Sequence, residues 1–279
     1  MIGLGSNRLT LARRGGMSVT QAGRGGIAWL GVRDPIWATP YSAQATAALK
    51  AQFPNYWSAI SQYGFDNPTM VPYINEDPML VYCLIDGLGV RWIHGDGASY
   101  FKNIYGNTDG YKLKTKIRRT GTASGDCVAG STYNSGGNYW RSSLFVSNSN
   151  FNLQIYSVFG ATSFTFTENQ AYEIEYSTKK NYYIKIDGVT KKSGTVNFNA
   201  SPAYDLPIFA TYYQNRYTNA IKGIEVGNKV ELYTTDMDNP AFILVPFKRS
   251  NNEVVLLDVL TASIKGDRVG SFTLIESPS

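Results

Sequence analysis

Few residues in this chain are of types that could do chemistry. Glu173 and Glu175 stand two apart in the stretch Tyr172–Gly194, YEIEYSTKKNYYIKIDGVTKKSG. On a strand that spacing puts both carboxylates on one face, about 6.6 Å apart along it. Two carboxylates on one face are the apparatus of glycoside hydrolysis. They are equally a solvated row paired with Lys185 across a hairpin, and that reading is favoured. His94 is the single histidine, so any Ser-His-Asp or Cys-His mechanism has to use it. It adjoins a Gly95-Asp96-Gly97 turn, and the chain contains no Gly-x-Ser-x-Gly elbow. One His and two distant Cys do not make a zinc site. Asp236 and Asp238, with Asn239, form an oxygen cluster that suits calcium or an Asx turn. Tyr212, Tyr213, Asn215, Arg216 and Tyr217 sit between two strand patterns, and Trp140 closes a similar stretch, NSGGNYW. Aromatics beside amides and a guanidinium stack on sugars or dock on proteins. These six residues are the expected glycan or receptor surface.

The elements that position them are strands. Tyr172, Ile174 and Tyr176 alternate with Glu173, Glu175 and Ser177, and Tyr182, Ile184 and Ile186 alternate with Tyr183, Lys185 and Asp187. A period of two gives each strand one apolar and one polar face. Asp187-Gly188 supplies a tight hairpin turn. The stretch is expected to be a three-strand meander with one buried face. From Val81 onward the same pattern recurs in a dozen short segments. The segments Phe242–Phe247 and Val254–Leu260 are apolar on both faces, as central strands are. The pattern predicts a two-sheet antiparallel sandwich.

Before the strands, residues 34–80 carry the helical signals. Thr39 is an N-cap candidate with Pro40 after it, an Ala-rich run follows, and Pro68, Pro72 and Pro78 mark a linker or a neck with extended backbone. Residues 1–33 differ from both. The arm holds eight glycines and two Arg-Gly-Gly triplets. Its five arginines, Arg8, Arg13, Arg14, Arg24 and Arg33, precede the first acid, and the remaining 21 basic residues are matched by 21 acids. The formal charge of +5 therefore belongs to the arm. Glycine this dense makes ordering costly, yet residues such as Trp29 are too apolar for a solvated linker. A tail or an RNA-binding segment fits the composition; docking onto an acidic protein partner fits it better. Cys83 and Cys127 could pair or stay as thiols. No apolar run is long enough for a membrane helix, and arginines interrupt any leader-like segment.

Two resemblances follow, one carried by quoted residues and one by the order of the segments alone. Tyr172-Glu173-Ile174 followed by Tyr182 to Gly188, together with Trp92 to Tyr100, Phe242 to Phe247, Val254 to Leu260 and Gly270 to Thr273, resembles the laminin-G-like, concanavalin-A-like jelly roll over residues 81–275. The resemblance implies a sandwich that hosts lectins, glycosidases or structural modules. Jelly-roll glycosidases place a further acid in the carboxylate row and an Asp between; here Ser177 and Ile174 stand there. The fold's calcium sites near the rim make Asp236 and Asp238 the metal candidates, with no other cofactor expected. The order of basic arm (1–33), neck (34–80) and jelly roll (81–279) resembles a bacteriophage fibre or decoration protein, such as the head fibre of a crAss-like gut phage. That resemblance implies a non-enzymatic, trimeric virion protein, assembled in the host cytoplasm. It would be anchored to capsid or tail proteins through Arg8, Arg13, Arg14, Arg24, Trp29 and Arg33 and would display its sandwich to a host glycan, with no membrane or nucleic-acid partner. The alternatives are a soluble carbohydrate-binding module or a glycoside hydrolase.

Overall fold

The computed structural model describes residues 69–77, 80–83, 90–107, 110–135, 138–147, 151–155, 158–162, 164–196, 204–213 and 216–277. The arm and the helical pair expected between Thr39 and Gly64 lie outside the described residues. The described chain divides into two compact units.

One unit takes its described residues from Met1–Arg91, Val245–Ser263 and Glu276–Ser279. It contains helices α1 (Val71–Glu76) and α2 (Leu80–Cys83). Two expectations are corrected in the described residues: the chain around Pro72 is helical where a linker or extended neck was expected, and Leu80–Cys83 is helical where the sequence from Val81 was expected to open as a strand. Pro72 falls in the first turn of α1, where its missing N–H has no acceptor to lose. The Leu80 N–H then bonds the Asp77 carbonyl at 3.0 Å and carries the chain into α2. The Asp77 carboxylate is buried and forms a bidentate pair with the buried Arg91. It also accepts the Lys248 N–H at 2.7 Å. Both halves of the hairpin from Val245 to Asp258 are buried on both faces, as their sequences predict, and Asn252 at φ 67 makes its turn.

The other unit, Trp92–Leu244 with Ile264–Ile275, is a β-sandwich. Its first sheet runs β10 (Val189–Thr195), β9 (Asn181–Ile186), β8 (Ala171–Ser177), β3 (Lys112–Arg119), β14 (Lys222–Tyr233). β1 (Val90–Asp96) and the start of β15 (Phe242–Lys248) line the far edge of β14. The second sheet runs β18 (Asp267–Val269), β2 (Tyr100–Asn107), β11 (Tyr204–Ile208), β4 (Ser124–Ser135), β5 (Asn138–Ser147), β6 (Phe151–Ile155), β7 (Val158–Ala161). β12 (Thr211–Tyr213) pairs with β4 in parallel and with β13 (Arg216–Thr218) as a hairpin.

The meander forms as its alternation dictates. Tyr172, Ile174, Tyr176, Tyr182, Ile184 and Ile186 are buried, and Asp187 and Gly188 turn the chain at φ 48 and φ 76. β14 runs as a single strand through Lys222–Tyr233, bulged between Gly227 and Val230. Gly227 is needed there because the Trp92 ring lies on it: a Cβ would come within 2.5 Å of a ring carbon. A polar clasp links the sheets. The Tyr111 hydroxyl donates to the Ala129 carbonyl at 2.7 Å and lies 3.2 Å from both the Ser142 carbonyl and the Tyr176 hydroxyl. Cys83 and Cys127 are buried thiols; burial pushes the Cys127 thiol up to about 12, which leaves it unreactive.

Candidate functional site

The aromatic stretch singled out in sequence becomes part of a larger array. Phe209, buried and at φ 69, bends the chain out of β11. A bulky residue is strained in that region. Here its ring packs edge-on against Phe101 at 5.9 Å, and its N–H bonds the Val128 carbonyl at 2.7 Å. The bend turns β12 parallel to β4 and carries Tyr212 and Tyr217 toward β2. The result is a row of four half-buried tyrosines. Tyr100 stacks on Tyr217 at 4.7 Å, Tyr217 meets Tyr212 at 5.1 Å, and Tyr212 meets Tyr204 at 6.4 Å.

Asp205 joins the row at Tyr217. Its carboxylate accepts the Tyr217 hydroxyl at 2.8 Å and the backbone N–H of Asn103. Asn103, at φ 58, bulges β2 to aim that N–H, a conformation Asn tolerates well. Its side chain is held in turn by Asp267. Burial raises the Asp205 pKa; the hydrogen bonds from Asn103 and Tyr217 and the charge of Lys102 oppose the rise without cancelling it, and Asp267 adds to it. Burial, then the hydrogen bond and negative charge of Asp205, drive the Tyr217 hydroxyl well above its ordinary value, so it stays a proton donor. A carboxylate beside a row of aromatic rings can accept a hydrogen bond from a hydroxyl while the rings pack on C–H surface.

Of the residues expected here, Tyr212 and Tyr217 belong to the row. Tyr213 and Arg216 face each other across the β12–β13 pair. Asn215 lies outside the described residues. Trp140 is placed on β5 opposite Tyr133, and its side chain is outside the description. The anchoring residues Arg8, Arg13, Arg14, Arg24, Trp29 and Arg33 are outside it as well. Tyr100, Tyr204 and Asp205 were missed, because more than a hundred residues separate Tyr100 from its partners and no local spacing reports such contacts.

The catalytic candidates are occupied by structural bonds. Glu173 pairs with Lys114 at 3.3 Å. Glu175 accepts the Tyr183 hydroxyl at 2.7 Å and Lys185 at 3.0 Å. Burial pushes its pKa up, but those two donors outweigh it and the net shift is downward. It is therefore a poor general acid, which needs a raised value. His94 contacts Glu225 at 3.2 Å, and Glu225 is a buried carboxylate that also pairs with Arg118. Asp236 accepts the N–H groups of Asp238 and Asn239 at 2.8 and 3.1 Å and the Asn239 amide at 2.8 Å. This is an Asx turn using both carboxylate oxygens. Among the described residues no three His, Cys, Asp or Glu cluster closely enough to hold a metal, and no helix is long and apolar enough to cross a membrane.

No protein-family model matches the chain, and no curated protein matches it in sequence. Solved structures do. A proposed carbohydrate-binding protein from Bacteroides ovatus ATCC 8483 is similar over 68% of this chain and 60% of its own, at 9% identity and a TM-score of 0.50. The CBM40 of the Ruminococcus gnavus IT-sialidase matches over 53% of this chain and 94% of its own, at 8% identity and a TM-score of 0.38. A mutant Trypanosoma rangeli sialidase displaying trans-sialidase activity matches over 45% of this chain and 20% of its own, at 14% identity and a TM-score of 0.35. The chain thus spans less than two thirds of the Bacteroides protein and a fifth of the sialidase. The likeness is one of fold: a mainly antiparallel β-sandwich.

Proposed function

We propose that the sandwich is a non-catalytic carbohydrate-binding module whose contact surface is the tyrosine row around Asp205. The observation that carries this reading is the contiguous row Tyr100–Tyr217–Tyr212–Tyr204, with the half-buried Asp205 carboxylate held at the Tyr217 hydroxyl. Sugars present C–H faces and hydroxyls together, and this surface answers both. The sandwich likeness supports it at the level of fold. The bonds that occupy Glu173, Glu175 and His94 count against a hydrolase. The test is a screen of the full chain against a neutral glycan array, with Tyr100→Ala and Tyr212→Ala alongside. Micromolar binding that falls in both variants supports the proposal; binding unaffected by either, or none at all, removes it.

The confinement of the chain's excess charge to residues 1–33 supports a second part of the proposal, that this arm attaches the module to a larger assembly with an acidic surface, a virion being the expected case. Removing residues 1–33 would then abolish incorporation while leaving glycan binding intact; normal incorporation would refute it.

A further inference from the structure

We infer that the groove between the Lys179–Lys180 turn and the Thr235–Asp238 loop is a second binding site, built for an acidic saccharide. Its volume is about 700 Å³, within the ordinary range for small-ligand pockets. The floor is the solvent face of the first sheet. Tyr183, Ser177 and Lys112 are partners in register across β9, β8 and β3, and Lys185 and Glu175 form the next rung.

Four lysines line the groove against two carboxylates, so the site favours an anion. Two of the ammonium groups are already placed. Lys112 sits 3.5 Å from the centre of the Tyr233 ring and donates to the Met237 carbonyl. Lys185 sits 3.0 Å from Glu175 Oε1 and 4.8 Å from the centre of the Tyr183 ring. An ammonium has three donors, so each keeps capacity for a ligand, and fixing it in advance lowers the ordering cost of binding. The wall is held too, since the Asp236 turn sets the 236–239 loop.

The same residues narrow the class of anion. Glu175 is a hydrogen-bond acceptor on the floor. It repels a bare phosphate but accepts a hydroxyl, and a saccharide bearing an acid group offers both chemistries. A nucleic acid fits less well, because one face of the groove's aromatic ring, Tyr183, is already covered by the Lys185 ammonium. The ligand's acid could be a carboxylate or a sulfate, and the shared chemistry is an anionic group on a polyhydroxylated ring.

The test is calorimetric titration of the full chain with four probes: a galacturonate oligosaccharide, a sulfated dextran oligosaccharide, neutral dextran and oligo-dT. It is repeated with Lys180→Ser, which changes an exposed turn residue, and with Tyr217→Ala. At least one acidic saccharide should bind where neutral dextran does not. Lys180→Ser should weaken that binding about tenfold at an unchanged thermal midpoint, and Tyr217→Ala should leave it unaltered. The better of the two acidic probes identifies the acid group. Failure of both probes overturns the inference, as does oligo-dT binding equally well. Affinity unchanged in Lys180→Ser also overturns it, because binding then lies outside the groove. None of these outcomes bears on the tyrosine row, which Tyr217→Ala reports separately.

Discussion

Replacing Tyr111 with Phe tests how the two sheets of the sandwich are tied. The substitution removes one oxygen and leaves the ring in place, so little packing is lost. The lost hydroxyl serves the Ala129 carbonyl at 2.7 Å and lies 3.2 Å from the Tyr176 hydroxyl, in a wholly buried setting. A buried polar group left without its partner costs about 1–3 kcal/mol. With the Tyr176 hydroxyl and the Ala129 carbonyl both deprived, we expect a loss of about 2–3 kcal/mol. For a unit of this size that corresponds to a midpoint about 5–10 °C lower. Urea unfolding followed by circular dichroism reads it directly. The double variant Tyr111→Phe/Tyr176→Phe removes both hydroxyls, so it should lose less than the sum of the two single changes. A neutral Tyr111→Phe, or strictly additive losses, would refute the clasp.

Three further outcomes are expected. Arg118→Ala takes its guanidinium from the Glu225 carboxylate, whose side chain is 3% exposed, and leaves it the contact with His94; stranding a buried charge should cost about 3 kcal/mol or more, and urea denaturation checks it. Asp205 carries a folded pKa above its ordinary value of 3.8, so the native state binds its proton more tightly than the unfolded chain does. Stability should therefore fall as pH rises from the ordinary carboxylate range through the raised value, and Asp205→Asn should flatten that slope in melts recorded from pH 3 to 7. Gly188→Ala adds a methyl that meets no atom within 4 Å, so its cost is backbone strain at positive φ alone, about 1–2 kcal/mol, measurable as a shift in the urea midpoint.

The parts of this molecule that were legible in sequence are those set by local period. The β8–β9–β10 meander, its Asp187-Gly188 turn and the doubly buried Val254–Leu257 run follow from which neighbours are apolar. The Glu175–Lys185 pair follows too, because the short Thr178–Lys180 connection between β8 and β9 leaves their polar faces in register. The helix at Val71–Glu76 was not legible, since proline reads as a breaker until its position in the first turn is known. The tyrosine row was half legible. Tyr212 and Tyr217 are close in sequence, but the contacts of Tyr217 with Tyr100 and Asp205, and of Tyr212 with Tyr204, depend on a bend at Phe209 that a phenylalanine does not signal. The groove was hidden for a similar reason. Its lysines read as the solvated face of strands, and it becomes a concavity only when the 235–238 loop closes one side.

The most direct test of the central claim is the affinity of the full chain for its best neutral glycan when Tyr217 is changed to Phe and to Ala. Truncating a central aromatic contact costs about 2 kcal/mol or more, so Tyr217→Ala should bind at least about thirtyfold more weakly. Tyr217→Phe keeps the ring and loses only the hydroxyl held by Asp205, so it should stay within several-fold of the parent. An unchanged affinity in Tyr217→Ala, in a protein whose circular dichroism matches the parent, would contradict the account.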